Sequence, residues 1–253
     1  MVASWREIGE RVFVRRHVSY DLNVGLIVGT QRCLVVDTRA SLGEGTDLAA
    51  AVRSVTPLPW TVVNTHSHFD HYLGNAAFPG APIWASRSCA EAIAAHGAEQ
   101  RDAVADGPDD VHQAPIVAPT HTFTTTASLD LGERTATLSF PGRGHTDNDV
   151  VVTVADARVT FAGDLVEEGA PPSFGDAFPL DWPTTLDTLI AAGPDGPVVP
   201  GHGAVVDWAF VREQRDLLAR VAAAGRTGDW RGVGLPDDFA ATARARCELQ
   251  LRG

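Results

Sequence analysis

The sequence predicts an α/β fold in a single domain. Three observations carry this. Short β-rich runs bounded by Gly, Pro, Asn and Asp alternate with segments of helical period. Such runs recur in both halves of the chain, which suits an α/β layering. The chain has 253 residues, 44% hydrophobic and 21% charged, enough to bury a sizeable core. No internal repeat, low-complexity tract or linker interrupts the pattern.

The elements follow in order. Residues 11–15 (RVFVR) alternate polar and apolar, as a half-buried strand does. Runs 23–28 (NVGLIV) and 33–37 (CLVVD) are strands joined by a hairpin-like turn, GTQR. Residues 43–54 have helical spacing, with Leu48 and Val52 on one side, and Pro57 and Pro59 stop them. Residues 60–64 form a short buried strand, 81–85 another, and 86–97 a helix capped by Ser86. The stretch 98–120 is a long polar connection, the kind that serves as a lid or binding loop. From 121 two or three strands return, with a turn at Leu131-Gly132-Glu133, then a hairpin of 149–154 and 158–162. Residues 167–181 are rich in Gly and Pro and read as irregular. A helix at 182–192, a strand at 197–200, an amphipathic helix at 209–224 and a last helix at 237–251 complete the chain. The core is expected over about 8–208, with 209–253 as a helical tail of the same domain.

Composition narrows the function. The formal net charge is −12, and all 20 basic residues are arginine. Without lysine, Schiff-base chemistry and a phosphate-loop lysine are excluded. An acidic chain is a poor ligand for nucleic acid or anionic membrane, since both require a basic face. Cys33, Cys89 and Cys247 are few, odd in number and far apart, so they suit small core positions in a reducing compartment. The N-terminal stretch MVASWREIGERVFVRR shows no apolar signal region, so a cytoplasmic location is expected. No apolar run reaches the roughly 18 residues of a membrane span.

The chemistry concentrates in one segment. Thr65-His66-Ser67-His68-Phe69-Asp70-His71 follows a buried strand. In a strand-like loop His66 and His68 point to one side, so both imidazoles reach one ion, while Asp70 and His71 turn towards a neighbouring position. Imidazole nitrogen and carboxylate oxygen are zinc ligands at about 2.0–2.2 Å. His145 (GRGHTDND), Asp164 (TFAGD) and His202 (VVPGHG) each follow a strand and have glycine neighbours. Strand ends are where ligands collect in α/β sheets. A lone histidine there is usually a surface or capping residue; four ligand-type residues in six positions are not.

HSHFDH, GRGHTDND, FAGD and PGHG, in this order, resemble the metallo-β-lactamase superfamily over about residues 8–208. The resemblance implies an αββα sandwich of two mixed β-sheets with helices outside. It assigns His66, His68 and His145 to one metal site, Asp70, His71 and His202 to a second, and Asp164 to the carboxylate bridging them. The implied cofactors are two Zn²⁺, with Fe or Mn as alternatives. The implied reaction is hydrolysis of a small ester, lactone, thioester or cyclic amide by a metal-held hydroxide, with Asp70 as the catalytic residue that orients the nucleophile. Class B1 β-lactamases carry cysteine at the Asp164 position, which points this chain to the broader hydrolase branch. No tyrosine follows Asp164 as in the lactonases. Only 51 residues, without lysine, follow His202, unlike glyoxalase II. A mononuclear iron oxidoreductase of the persulfide dioxygenase kind, using His66, His68, His145 and Asp164, is the alternative; a non-catalytic binding protein is a third reading.

Around this set, Asp147, Asn148 and Asp149 are read as either a polar turn or support for His145. Asp37 is read as a strand-end turn or a contact to a ligand histidine. Tyr20 and Asn23 are candidate pocket residues, and Tyr72 is expected to pack. Phe174, Phe178 and Trp182 are expected to form an apolar wall for the substrate. His17, His96, His112 and His121 match no motif and are taken as surface or structural. The partner is a small molecule, not nucleic acid or membrane, and the chain is a monomer or homodimer.

Overall fold

β-branched, doubly buried runs need cover on both faces, and the architecture supplies it. The computed structural model describes residues 4–252; the first three residues of the N-terminal stretch and the last residue of the tail lie outside the described residues. β1 (Arg6–Gly9), β2 (Val12–Arg16), β3 (Asn23–Val28) and β4 (Cys33–Val36) form an antiparallel meander. β5 (Trp60–Val63), β6 (Ile83–Ser86) and β7 (His121–Phe123) then add in parallel, giving a seven-stranded mixed sheet. Parallel neighbours require crossovers. α1 (Leu42–Val55) makes the first, and α3 (Arg87–Ala103) opens the one from β6 to β7. Ser41 and Ser86 cap these helices, their hydroxyls accepting from Glu44 N and Cys89 N at 3.1 Å. The β5–β6 crossover contains the histidine motif, with Asp70 and His71 on a single helical turn, α2 (Phe69–Tyr72).

The second sheet runs in the order β12-β11-β10-β9-β8. β8 (Thr126–Asp130), β9 (Thr135–Ser139), β10 (Val151–Val154) and β11 (Val159–Glu167) are antiparallel, and β12 (Val198–His202) joins β11 in parallel through α4 (Trp182–Ala192). Ile27, Leu34 and Val36 meet Leu138, Val152 and Phe161 between the sheets. The alternate residues Leu26, Val28 and Val35 pack outward with Leu48 and Val52 of α1. On the far side α4, α5 (Trp208–Thr227) and α6 (Asp237–Arg252) cover β11 through Leu186, Val211, Leu218, Val221 and Cys247. This is the expected αββα arrangement.

Several boundaries shift for physical reasons. The helix from Ser86 runs on to Ala103, so the irregular part of the long connection begins at Val104 and includes a 3₁₀ turn at Val111–Gln113. β7 belongs to the first sheet, whereas β8 begins the second. β11 continues past Asp164 to Glu167, so Asp164 sits inside a strand and not at its end. The pairing with β12 slips between Phe161 and Gly163 and again before Glu167. Gly163 has φ +54°, and a Cβ there would come within 2.9 Å of Thr65. This bulge re-aims the strand and turns Asp164 towards the site.

The three cysteines are free and buried. Of the four unmatched histidines, His96, His112 and His121 are exposed, and His17 is buried. Burial first, then the charges of Arg39 and Arg15, lower His17 to about 3. A histidine held neutral stabilises above its unfolded pKa near 6.5 and loses that contribution as pH falls towards 3. Urea denaturation of the metal-free protein should therefore show stability falling across this window, with a shallower slope in His17→Gln. A second outcome concerns the sheet contact. A Cβ at Gly25 would meet the Phe161 ring at 2.4 Å, so Gly25→Val should cost about 1–3 kcal/mol by overpacking, read as a lower urea midpoint.

Candidate metal centre

The site assembles where both sheets end. The motif loop leaves β5, and its backbone is locked from two directions. Asp37, at the end of β4, accepts Thr65 N at 2.7 Å and Thr65 Oγ1 at 2.8 Å. From the other sheet, Asn148 Oδ1 accepts Ser67 N at 3.0 Å, its Nδ2 donates to Ser67 Oγ at 3.1 Å, and Val150 N donates to Thr65 O at 2.6 Å. Asp149 accepts Thr146 N and Oγ1 at 2.9 and 2.7 Å, which shapes the turn presenting His145. The segment after His145 is thus both a polar turn and a support. Behind α2, Asn64 and Asn75 exchange hydrogen bonds, and Asn64 Nδ2 donates to His71 O at 3.2 Å.

All seven residues singled out by sequence converge. His66 Nε2 lies 3.1 Å from His68 Nδ1, which lies 2.9 Å from His145 Nε2. Asp164 Oδ2 is 3.7 Å from His66 Nε2 and 3.5 Å from His145 Nε2. On its other side Asp164 Oδ2 is 3.1 Å from His202 Nε2, and Oδ1 is 3.4 Å from His71 Nε2. Asp70 Oδ2 closes the second group, 3.6 Å from His71 Nε2 and 3.5 Å from His202 Nε2. The side chains therefore form two adjoining groups, His66, His68, His145 and Asp164, and Asp70, His71 and His202. Gly201 makes room for this, since a Cβ there would collide with Asp164 Oδ1.

The donor set fits metal. Ligands at about 2.0–2.1 Å on a tetrahedral ion stand roughly 3.3 Å apart, close to the nitrogen separations here. His71 Nε2 and Asp164 Oδ1 are fully buried without a hydrogen bond, a costly state unless another partner satisfies them. The rear nitrogens are mostly held. His71 Nδ1 is 2.8 Å from Asp37 Oδ2, His66 Nδ1 3.1 Å from Thr65 Oγ1, His68 Nε2 3.0 Å from Asp176, and His202 Nδ1 2.6 Å from Tyr20 O. Holding the rear nitrogen fixes tautomer and ring direction for a metal ligand. His145 Nδ1 has no hydrogen bond and lies 3.6 Å from Glu167 Oε1.

Charge varies across the cluster: burial opposes a charge on His68, yet its hydrogen bond to Asp176 raises its pKa. Burial drives His66 well below the ordinary imidazole value and His145 down to about 4, so both are neutral lone-pair donors. Burial also opposes charge on His71 and His202, but Asp164 leads the carboxylates that override it. They raise His71 well above the usual value and His202 to about 10. Burial would raise Asp164, yet the surrounding imidazoles, His202 foremost, hold it well below the carboxylate range.

The site opens into a cavity of about 860 Å³. Tyr20 lines it and meets Phe69 edge-to-face at 5.4 Å, as the sequence suggested. Asn23 does not line it; it is buried and donates to Pro200 O and Gly203 O. Tyr72 packs internally, as expected. The expected wall of Phe174, Phe178 and Trp182 is corrected: Phe174 and Trp182 pack on each other in the core, and Phe178 lies under Arg143 and Arg246. The apolar side comes instead from Tyr20, Phe69, Val104, Pro171 and Phe239. Phe239 belongs to α6. The same helix clamps the 167–181 loop, with Arg246 donating to Asp176 O and Ala177 O at 2.7 and 2.8 Å.

Sequence reasoning missed Glu167, Glu168, Asp176 and Phe239. Only Glu167 left a signal, an acid closing the apolar run VTFAGDLVE. Asp176 reaches His68 across 108 residues, and no local pattern encodes that.

A model of the metallo-beta-lactamase superfamily matches residues 21–202, and the chain belongs to this superfamily. The metallo-beta-lactamase type 2 of Bacillus cereus is 30% identical over 95 residues, 36% of this chain and 37% of that protein. That of Bacteroides fragilis is 32% identical over 92 residues, 35% and 37% of the two chains. The matched stretch thus spans little over a third of these curated relatives. Among solved structures, TMB-1 superposes with a TM-score of 0.70 at 22% identity, over 87% of this chain and 98% of its own. A metallo-beta-lactamase from Pontibacter korlensis gives 0.69 at 22%, over 86% and 99%. These structures share the fold.

Two outcomes follow. Asp37→Ala removes the support of His71 and of Thr65, and should weaken zinc binding about 10–100-fold in competition with a chromophoric chelator. Because His202 and His71 carry protons that a metal must displace, zinc affinity should rise between pH 6 and 9, by about tenfold per pH unit for each proton released. Calorimetry in buffers of different ionisation enthalpy counts those protons.

Proposed function

We propose that this protein is a dinuclear zinc hydrolase acting on a small ester, lactone, thioester or cyclic amide. The observation that carries the reading is the pair of adjoining donor groups sharing buried Asp164 at the floor of the cavity. His66, His68 and His145 would hold one ion, Asp70, His71 and His202 the other, and Asp164 both. Two zinc ions supply Lewis acidity and water acidified to near neutral pH.

The chain's own groups do the rest. Asp70 is at the cavity edge, 7% exposed, and its carboxylate orients the attacking water and takes up its proton for the leaving group. Tyr20, Phe69, Val104 and Phe239 seat the apolar part of the substrate and exclude water. Asp37, Thr65, Asp176 and the Tyr20 carbonyl hold the imidazoles in register, so the site is organised before substrate arrives.

The aspartate at position 164 supports the broader hydrolase branch over a cysteine-containing β-lactamase site, since Cys33, Cys89 and Cys247 are buried in β4, α3 and α6. A small-molecule substrate, no nucleic-acid or membrane partner, a cytoplasmic setting and a monomer or homodimer belong to the same proposal. The net charge of −12 supports the exclusion of nucleic acid and anionic membrane.

Metal analysis of protein purified without added metal should give about two zinc per chain. Hydrolysis in an ester, lactone, thioester and β-lactam screen should vanish with a chelator and return with zinc. Asp70→Ala should lower kcat about 10²–10⁴-fold with an unchanged circular dichroism spectrum; full activity in that variant refutes the mechanism. One iron per chain with thiol-dependent oxygen uptake would replace the hydrolase with the dioxygenase reading.

A further inference from the structure

The side chains lining the cavity include Asp21, Asp70, Asp164, Glu167, Glu168 and Asp176, and neither arginine nor lysine. In a metal-dependent hydrolase Asp70 and Asp164 are spent in the donor cluster. Asp176 is held on His68, and Glu167 is buried, accepting from Ser173 N at 2.7 Å and lying 3.6 Å from His145 Nδ1. Asp21 and Glu168 remain at the mouth. Arg16 is bonded to Asp21 through Nε and NH2. Glu168 itself accepts from the backbone N–H of Ala204. Arg16 is thus paired with Asp21, and it is not among the residues that line the cavity. Arg246 and Arg101 are committed to backbone carbonyls or to Asp102.

A carboxylate entering a confined site needs a paired cation and hydrogen bonds to offset its lost hydration. Metal ions at the floor would serve only a group at the scissile bond; the mouth offers no cation, its lining combining carboxylates with Phe69, Val104, Pro171 and Phe239.

We infer that the substrate carries no anionic group away from its scissile bond: it is a neutral or cationic ester or lactone with an apolar acyl part. This rests on the hydrolase reading above. A bicyclic β-lactam bears a free carboxylate, so such compounds fall outside the good substrates, whatever the names of the relatives. Glu168 is the residue that enforces the exclusion.

Three aryl esters with one leaving group test this on zinc-loaded enzyme: pentanoate, its anionic counterpart 4-carboxybutanoate, and its cationic counterpart 4-(trimethylammonio)butanoate. At low salt kcat/KM for the anionic ester should be at least about tenfold below the neutral one. The cationic ester should equal or exceed the neutral. The deficit should shrink as ionic strength rises and again in Glu168→Gln. An anionic ester hydrolysed as well as the neutral one at low salt overturns the inference. If none of the esters is hydrolysed, the hydrolase reading fails for esters. Equilibrium dialysis of the three matching methyl ketones then decides the charge question alone: weaker binding of the anionic ketone supports the exclusion, and equal or tighter binding overturns it.

Discussion

One buried carboxylate organises the molecule. Asp164 is 4% exposed, and four imidazoles, of His66, His71, His145 and His202, face it within 3.7 Å. A charge taken out of water must be compensated on every side. Both sheets are shaped around that requirement. The bulge at Gly163 turns the residue inward from β11, Gly201 lets β12 pass against it, and the loop after β5 brings two of the four imidazoles.

The imidazoles in turn need fixed directions, and the fold supplies a different anchor for each. Asp37 comes from the first sheet, Asp176 from the loop after β11, and the Tyr20 carbonyl from the turn before β3. The last of these residues has φ +59°, a conformation uncommon for a non-glycine residue. Such local strain is held by the surrounding contacts, here the His202 bond, the Phe69 ring and the Tyr20 hydroxyl on Asp106 O.

The C-terminal helix connects this polar centre to the cavity wall. α6 packs Ala243 and Cys247 into the core that also covers β11. From that base Arg246 ties the backbone of the loop carrying Asp176, and Phe239 reaches the cavity. The helix therefore bears on the donor cluster through Asp176 and on the shape of the cavity through Phe239, without supplying a donor itself. The cavity lining combines acidic and apolar side chains with imidazoles of opposite charge tendency, His145 lowered and His202 raised.

Most elements, and all seven converging ligand-type residues, were legible in the sequence. Strand and helix periods are local, and chemistry-bearing residues beside glycine at strand ends stand out from an apolar background. The HSHFDH segment declares its own donors within six positions, and the order of the later motifs carries the rest. What tertiary structure alone decided is how those donors are oriented and what surrounds them. His68 meets Asp176 across 108 residues, His202 meets the Tyr20 carbonyl across 182, and Phe174 and Trp182 turn from the expected wall into the core. These depend on how the two sheets and α6 close on one another, a nonlocal packing outcome with no period or spacing along the chain to announce it.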